Sequence, residues 1–180
     1  MHEKIKLHDL EFQLLLKQED ILKAIEKMAQ KMNMDFKDEK PVFLVVLKGA
    51  FMFATELVKA VDRDVDIEFI RVKSYQGTNS GEIDCGLNSG LEVKDRAVVI
   101  LEDIVDTGNT IEFLDEKLKD MGAKDVKVAT LFLKPDAYKK TRPLDYIGLE
   151  IPNQFVVGFG LDYDERGRGF RDLYQLIDEH

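Results

Sequence analysis

The sequence is poor in cysteine and histidine, and this scarcity excludes several classes of protein. Its 180 residues include one cysteine, Cys85, which cannot form an internal disulfide and therefore favours a reducing compartment. The three histidines, His2, His8 and His180, lie at the ends of the chain, without the spacing of a metal site. None of them accompanies Cys85 as a base. The sequence thus argues against a disulfide-bonded secreted domain, a histidine-ligated metal centre and a cysteine nucleophile.

The chain also lacks long apolar runs and an excess of positive charge. No apolar run approaches the roughly 20 residues of a membrane span, and the start, MHEKIKLHDL, lacks the apolar segment of a signal peptide. The formal net charge is −9, from 26 basic and 35 acidic side chains, which argues against binding to nucleic acids or anionic membranes. We therefore expect a cytoplasmic protein with neither nucleic acid nor a membrane as its partner.

Few prolines, no internal repeat and no linker favour a single domain over residues 1–180. Helical spacing of Leu14, Ile21 and Ile25 predicts an N-terminal helix around residues 9–32, and a second helix is predicted over 51–61. Alternation of Val65, Ile67 and Phe69 with acidic residues predicts a strand. Further strands are predicted at residues 42–47, from 98 onward, at 126–134, and in two short segments, DYIGLEI and FVVGFGLDY.

Strands that alternate with helices predict an α/β fold with a mostly parallel central sheet covered on both faces. Ligands bind such sheets beyond the carboxyl ends of the strands. Polar residues follow three predicted strands there, namely Lys48 with Gly49, residues 102–110, and Lys134. The glycine-rich stretch 73–90 lies beside the same strand ends, so we interpret it as a flexible lid that includes one short returning strand.

The stretch VVILEDIVDTGNTIEFL places three carboxylates, Glu102, Asp103 and Asp106, directly before a turn of small residues that opens a helix. Backbone N–H groups at a helix start favour a phosphate, although the turn alone could equally be an ordinary connection. Adjacent carboxylates on a buried strand are costly unless a metal, a cation or hydroxyl donors satisfy them. A ribose phosphate that carries Mg²⁺ reconciles the acidic strand end with a phosphate site.

The segment VVILEDIVDTGNT resembles the phosphoribosyl pyrophosphate (PRPP) binding motif of type I phosphoribosyltransferases. Other segments narrow the resemblance to the hypoxanthine-guanine phosphoribosyltransferases. VLKGAFMF is similar to their Lys-Gly turn, KSYQGTNSGE to their Ser-Tyr lid, and DYIGLEIPNQFVVGFGLDYDE to the C-terminal hood that covers the base. The resemblance extends from about Val42 to Arg168. It implies one phosphoribosyltransferase domain, whose hood is formed mainly by about residues 144–180 with N-terminal residues.

The resemblance implies roles around PRPP. Glu102 and Asp103 hold the ribose hydroxyls, directly or through Mg²⁺. The 5′-phosphate lies in the turn formed by Thr107, Gly108, Asn109 and Thr110. The pyrophosphate meets backbone groups at Lys48 and Gly49, through a strained non-proline cis peptide, and the side chain of Arg168, with Arg171 as the alternative. Ser74 and Tyr75 belong to the lid.

The resemblance also implies a purine site. Asp106 is the general base facing N7, Lys134 donates to the purine O6, Phe155 stacks on the ring, Val156 offers backbone contacts, and Asp162 binds a second Mg²⁺. Each residue has a simpler reading: periodicity alone favours a core position for Phe155, an exposed strand end for Lys134 and a turn for Asp162.

The implied activity is transfer of 5-phosphoribosyl from PRPP to hypoxanthine or guanine. The alternatives are a transferase for another base, such as a pyrimidine or orotate, and a regulator on the same fold. The regulator would need a basic face or an added DNA-binding segment. The order of preference among hypoxanthine, guanine and xanthine stays open. We also expect a homodimer or homotetramer.

Overall fold

The computed structural model describes residues 3–74, 83–85 and 91–177, which form a large sheet, a small sheet and three helices. The helices are α1 (Gln18–Asp35), α2 (Phe51–Ala60) and α3 (Asn109–Asp120). The strands are β1 (Lys4–Leu7), β2 (Leu10–Leu16), β3 (Val42–Leu47), β4 (Asp66–Ser74), β5 (Ile83–Cys85), β6 (Ala97–Val105), β7 (Asp125–Leu133), β8 (Tyr146–Glu150), β9 (Val156–Val157) and β10 (Leu173–Leu176). No helix in these ranges is both long enough and apolar enough to cross a membrane.

The large sheet has the strand order β5-β4-β3-β6-β7-β8. Strands β4, β3, β6, β7 and β8 are parallel, whereas β5 pairs antiparallel with the end of β4. Helices α1 and α2 cover one face and α3 covers the other, so the central strands are buried on both sides. The predicted α/β class and the short returning strand are therefore confirmed.

The alternation of side chains along β6 decides where its acidic end points. Val99 and Leu101 pack towards α1 and α2, whereas Val98 and Ile100 pack towards α3. Because successive residues of a strand face opposite sides, Glu102 continues the α3 side and Asp103 continues the α1/α2 side.

The small sheet joins the two ends of the chain in the order β1-β2-β10-β9. Here the predicted N-terminal helix is wrong in its first half, because residues 10–16 form a strand and α1 begins only at Gln18. Leu10, Phe12 and Leu14 alternate with polar residues, and β2 finds its partner β10 at the far end of the chain. Residues 146–150, which we expected in the hood, form the edge strand β8 of the large sheet instead.

Strand β4 is confirmed, but the described residues leave part of its apolar side exposed. Ile67 is 41% exposed and Phe69 is 60% exposed. Helix α2 packs over β3 and β6 rather than over β4. Strand β5 pairs only with residues 72–74 of β4, so the first part of β4 lies at the edge of the sheet.

Candidate active site

The carboxyl ends of three neighbouring parallel strands bring the predicted site residues to one edge of the sheet. Lys48 follows β3, Asp106 follows β6 and Lys134 follows β7, and β6 lies between the other two strands. This adjacency results from the parallel topology alone, since parallel strands present their carboxyl ends at the same edge. The residues implied by the motif and by the Lys-Gly turn therefore lie at the same edge of the sheet.

The carboxyl groups of Glu102 and Asp103 are withdrawn from solvent on opposite sides of β6. Burial, followed by repulsion from Asp103, raises the pKa of Glu102 well above its usual range. Burial also raises the pKa of Asp103 to about 6, although the N–H of Ile104 donates to its Oδ1 at 2.8 Å. The Oε2 atom of Glu102 is buried and has no hydrogen-bond partner among the described residues. A cation close to either carboxyl group would stabilise its charged form.

The Lys-Gly turn after β3 packs directly against Asp103. The peptide bond between Leu47 and Lys48 is cis. A Cβ atom on Gly49 would overlap the Asp103 carboxylate, and a Cβ atom on Gly160 would overlap the carbonyl oxygen of Gly49. The turn is thus held between β6 and the hood, and only glycine allows such a close approach at either position.

The loop after β9 supplies charged groups to the same side of the sheet. Arg168 pairs with Asp162 at 2.8 Å and donates to the carbonyl oxygen of Gly160 at 2.9 Å. Lys48 Nζ lies 2.7 Å from Glu165 Oε1, which lowers the pKa of Glu165. The charges of Arg168 and Asp162 also act on Asp103, the first lowering and the second raising its pKa.

The two candidate arginines of this loop lie in different surroundings. Arg168 lies inside the charged group around Asp162, whereas Arg171 is an exposed residue. Glu165, which pairs with Lys48, was not among the residues predicted from the sequence. Its position depends on a local turn in which Asp164 and Glu165 both have positive φ, at 47° and 63°, and no periodicity signals such a turn.

The predicted phosphate turn opens α3. Gly108 has φ +83°, a conformation that favours glycine, and Asn109 is the first residue of the helix. A cavity of about 110 Å³ lies over this turn and reaches back to Glu102, with Asp106, Thr107 and Thr110 in its lining. The first N–H groups of a helix have no acceptor within it, so they are free to meet an anion.

Two residues that the sequence analysis did not single out cover this turn. The ring of Tyr138 and the stem of Lys140 both lie where a side chain on Gly108 would have to go. They come from the loop after β7, which follows Lys134 in the chain. No pattern in KPDAYKKTRP predicts the contact of these two residues with Gly108, because it depends on how the loop folds back over α3.

Asp106 and Lys134 face each other across the strand ends. Lys134 Nζ lies 3.4 Å from Asp106 Oδ2. The Lys134 side chain is buried, so the simpler reading as an exposed strand end is wrong, whereas Asp106 is exposed. An ammonium donor and a carboxylate acceptor therefore lie side by side at the ends of β6 and β7.

Phe155 and Val156 lie in the hood. Phe155 is 42% exposed, so it is not the core residue that periodicity alone favours. Its ring meets Tyr163 edge-on at 5.8 Å and lies 6.1 Å from Phe12. Val156 is buried. The hood thus presents an aromatic face, supported by other aromatic rings, that is open to solvent.

Of the predicted lid, the structure describes residues 73–74 and 83–85. Ser74 is the last residue of β4, and residues 83–85 form β5. Tyr75 lies outside the described residues, so its assignment to the lid stays a prediction.

The sequence of this chain matches a known protein family. The phosphoribosyl transferase domain matches residues 13–164. A hypoxanthine-guanine phosphoribosyltransferase of Streptococcus thermophilus is 39% identical over 168 residues, covering 92% of this chain and 93% of that protein. One from Streptococcus agalactiae is 40% identical over 167 residues, with the same coverage.

Solved structures agree with the sequence relatives. A hypoxanthine phosphoribosyltransferase of Staphylococcus aureus superposes with a TM-score of 0.86 at 32% identity, covering 92% of this chain and 91% of that one. A mutant of the Trypanosoma cruzi hypoxanthine phosphoribosyltransferase, in a ternary complex with its substrates, gives a TM-score of 0.85 at 32% identity, covering 91% and 94%.

Proposed function

This chain belongs to the phosphoribosyltransferase family, and on that premise we propose that it is a purine salvage enzyme. It transfers the 5-phosphoribosyl group of PRPP to N9 of hypoxanthine or guanine, giving IMP or GMP and pyrophosphate. In this reaction the bond from the anomeric carbon to N9 forms as the bond to the pyrophosphate oxygen breaks, and the purine loses one ring proton.

The observation that carries the choice of acceptor is the Lys134–Asp106 pair. On one edge of a 6-oxopurine, the O6 acceptor stands beside N7. Lys134 supplies only donors and fits O6, whereas the Asp106 carboxylate accepts and fits a protonated N7. The pair therefore matches a 6-oxopurine that carries its proton on N7, and Asp106 is placed to take that proton as N9 attacks.

The other end of the nucleotide fits the turn that opens α3. The backbone N–H groups at Thr107 to Thr110 and the hydroxyls of the two threonines are donors for the 5′-phosphate, and the cavity over the turn reaches Glu102. The ribose then extends from this turn along the end of β6. Its hydroxyl donors meet the carboxylate of Glu102, whose Oε2 is without a partner among the described residues.

The residues present fit Mg²⁺, which we propose as the cofactor. No three histidine, cysteine or carboxylate side chains within the described ranges converge to hold a metal by themselves. Mg²⁺ is commonly held by one or two carboxylates together with substrate phosphates. Burial raises the pKa values of Glu102 and Asp103, and a bound cation would favour their charged forms. Glu102 and Asp103 would hold one ion together with the ribose hydroxyls, and Asp162 would hold a second. When bound, Mg²⁺ offsets the negative charge that accumulates on the leaving pyrophosphate.

Lys48, Gly49 and Arg168 are proposed to receive the pyrophosphate. Lys48 and Arg168 now pair with carboxylates of the hood loop, at Glu165 and Asp162. Arg168 Nε is also buried without a partner among the described residues. The Nε–H group of Arg168 is therefore a buried donor that could bind a pyrophosphate oxygen beside the Lys-Gly turn. The loop of the predicted lid, with Ser74 and Tyr75, would exclude water, which competes with the purine as nucleophile.

The direct test of the function is product formation. The protein is mixed with PRPP, MgCl₂ and hypoxanthine, guanine, xanthine, adenine or orotate, and the nucleotides are separated by chromatography. We expect IMP and GMP, with release of pyrophosphate. Product from orotate alone would assign the chain to another base. Absence of product with every base would favour the regulator on this fold.

We further propose that the chain forms a homo-oligomer through the exposed side of β4. Ile67 and Phe69 are large apolar side chains on a strand segment that lies at the sheet edge. An uncovered strand edge with exposed apolar side chains favours pairing with another chain, and a second copy is the simplest partner. The expected state is a dimer or tetramer.

Two matched variants test whether the oligomer forms through β4. Ile67 is 41% exposed on one edge of the large sheet, and Ile147 is 42% exposed on the other edge. Ile67→Asp is expected to dissociate the oligomer into monomers, whereas Ile147→Asp leaves it intact. Light scattering coupled to size-exclusion chromatography measures both. Dissociation by Ile147→Asp alone would move the interface to β8.

A further inference from the structure

The phosphate turn has no cation of its own. The segment Thr107 to Thr110 contains neither lysine nor arginine, although a bound phosphate monoester carries nearly two negative charges at neutral pH. Glu112, in the first turn of α3, adds a carboxylate close to the same place. Neutral donors alone, the backbone N–H groups and the two threonine hydroxyls, would have to hold a dianion close to a negative charge.

The side chain of Lys140 lies against this turn. Its Cγ atom lies 3.0 Å from the position of a Cβ atom on Gly108, so its side chain runs along the turn itself. Its ammonium group pairs with Glu112 Oε2 at 2.6 Å, and its side chain is only 26% exposed. A long basic side chain thus lies against the phosphate turn and ends on the carboxylate beside it.

The surrounding contacts hold Lys140 in this place. The Tyr138 ring packs on Gly108, and the Tyr138 hydroxyl donates to the carbonyl oxygen of Arg142 at 2.6 Å. Arg142 in turn meets the buried Asp115 of α3, with its Nε at 3.0 Å from Oδ1, and donates to the carbonyl oxygen of Val126 at 2.6 Å. The loop that carries Lys140 is therefore fixed to both α3 and β7.

We propose that Lys140 is the cation of the 5′-phosphate site, and that its ammonium group exchanges Glu112 for a phosphate oxygen when a nucleotide binds. This inference rests on the proposed function. A phosphate dianion attracts the ammonium group more strongly than one carboxylate does. Glu112 is half exposed, so water replaces the lost contact at little cost.

The test compares ligands that differ only in the phosphate. Dissociation constants for IMP and for inosine are measured by titration calorimetry with the wild type, Lys140→Gln and Lys140→Arg. Lys140→Gln is expected to weaken IMP binding roughly 10-fold or more while inosine binding stays unchanged. Lys140→Arg should retain most of the IMP affinity because it keeps the charge. Lys139→Gln, an exposed neighbour in the same loop, is the matched control and should bind IMP as the wild type does.

A merely structural ion pair gives a different pattern. If Lys140 served only to pair with Glu112, then Lys140→Gln and Glu112→Gln would weaken IMP and inosine binding alike, and the proposal would be wrong. Under the proposal, Glu112→Gln retains or tightens IMP binding, because the competing carboxylate is gone. Equal IMP affinity in the wild type and Lys140→Gln would reject Lys140 and leave the proposed function intact. A wild type that neither binds IMP nor forms it would overturn both.

Discussion

Asp103→Asn is expected to make the ligand-free protein more stable and to lower kcat/KM roughly 10²- to 10³-fold. The wild-type carboxylate is withdrawn from solvent and its pKa is raised to about 6, so at pH 8 it carries a charge that burial disfavours. Asparagine keeps the oxygen that accepts from the Ile104 N–H. It removes the charge that we propose to hold Mg²⁺. The gain in the free energy of unfolding at pH 8 is of the order of 1–3 kcal/mol.

The sign of the pH dependence separates this effect from ordinary surface charge. The pKa of Asp103 is higher in the folded protein than in the unfolded chain, so between about pH 4 and pH 6 the native state binds more protons. The Asp103 carboxyl group therefore lowers stability progressively as pH rises through this window. The difference in unfolding free energy between Asp103→Asn and the wild type should be small near pH 4 and fully developed above pH 7. Urea denaturation in EDTA, repeated across this range, measures it.

Asp66→Asn is a control for which the opposite change in the free energy of unfolding is expected. Hydrogen bonds from Lys40 and Arg96 lower the pKa of Asp66, so its ionised form stabilises the folded protein above the unfolded pKa, and this contribution is lost as pH falls. Its removal should reduce stability at pH 8 and leave the activity unchanged.

Metal removal completes the Asp103 test. EDTA should abolish turnover by the wild type and excess Mg²⁺ should restore it, whereas Mg²⁺ with PRPP should stabilise the wild type more than Asp103→Asn. Two results would contradict the assignment of Asp103: full activity in the chelated enzyme, or an Asp103→Asn variant that loses stability at pH 8.

The sequence was most informative where the site is contiguous in the chain. The end of β6, the turn at Gly108 and the start of α3 follow one another directly, so their polarity and periodicity predict a strand, a turn and a helix without knowledge of any distant partner. The parallel topology then places Lys48 and Lys134 beside them. Resemblance, rather than periodicity, supplied the role of Phe155.

Prediction failed where position depends on distant parts of the chain. The pair of Lys48 and Glu165 joins residues 117 positions apart. The contact of Lys140 with Gly108 depends on how the loop after β7 folds back. The apolar spacing of residues 10–16 is compatible with a helix and with a strand. These residues form a strand because they pair with β10, which begins only at Leu173. Such contacts carry no local pattern, so only the folded structure reveals them.

Lys134→Gln is expected to lower kcat/KM for hypoxanthine roughly 10- to 100-fold and to narrow the preference for hypoxanthine over adenine. In the wild type, adenine would place its 6-amino donor against the Lys134 ammonium group, which is also only a donor. Each unsatisfied group in the closed pocket costs about 1–3 kcal/mol. Glutamine offers both a donor and an acceptor, so its amide can turn to accept from the 6-amino group or to donate to O6.

The measurement is kcat/KM for hypoxanthine and adenine in both proteins, with Lys127→Gln as the control. Lys127 lies on β7, the strand that Lys134 follows, but its ammonium group faces the rings of Phe36 and Tyr146. This control should leave the ratio of the two constants unchanged. Lys134 is buried beside Asp106, and its replacement also removes the cation that faces the proposed base, so hypoxanthine should lose rate even where adenine gains. Efficient use of adenine by the wild type would reject Lys134 as the reader of O6 and, with it, the 6-oxopurine as acceptor.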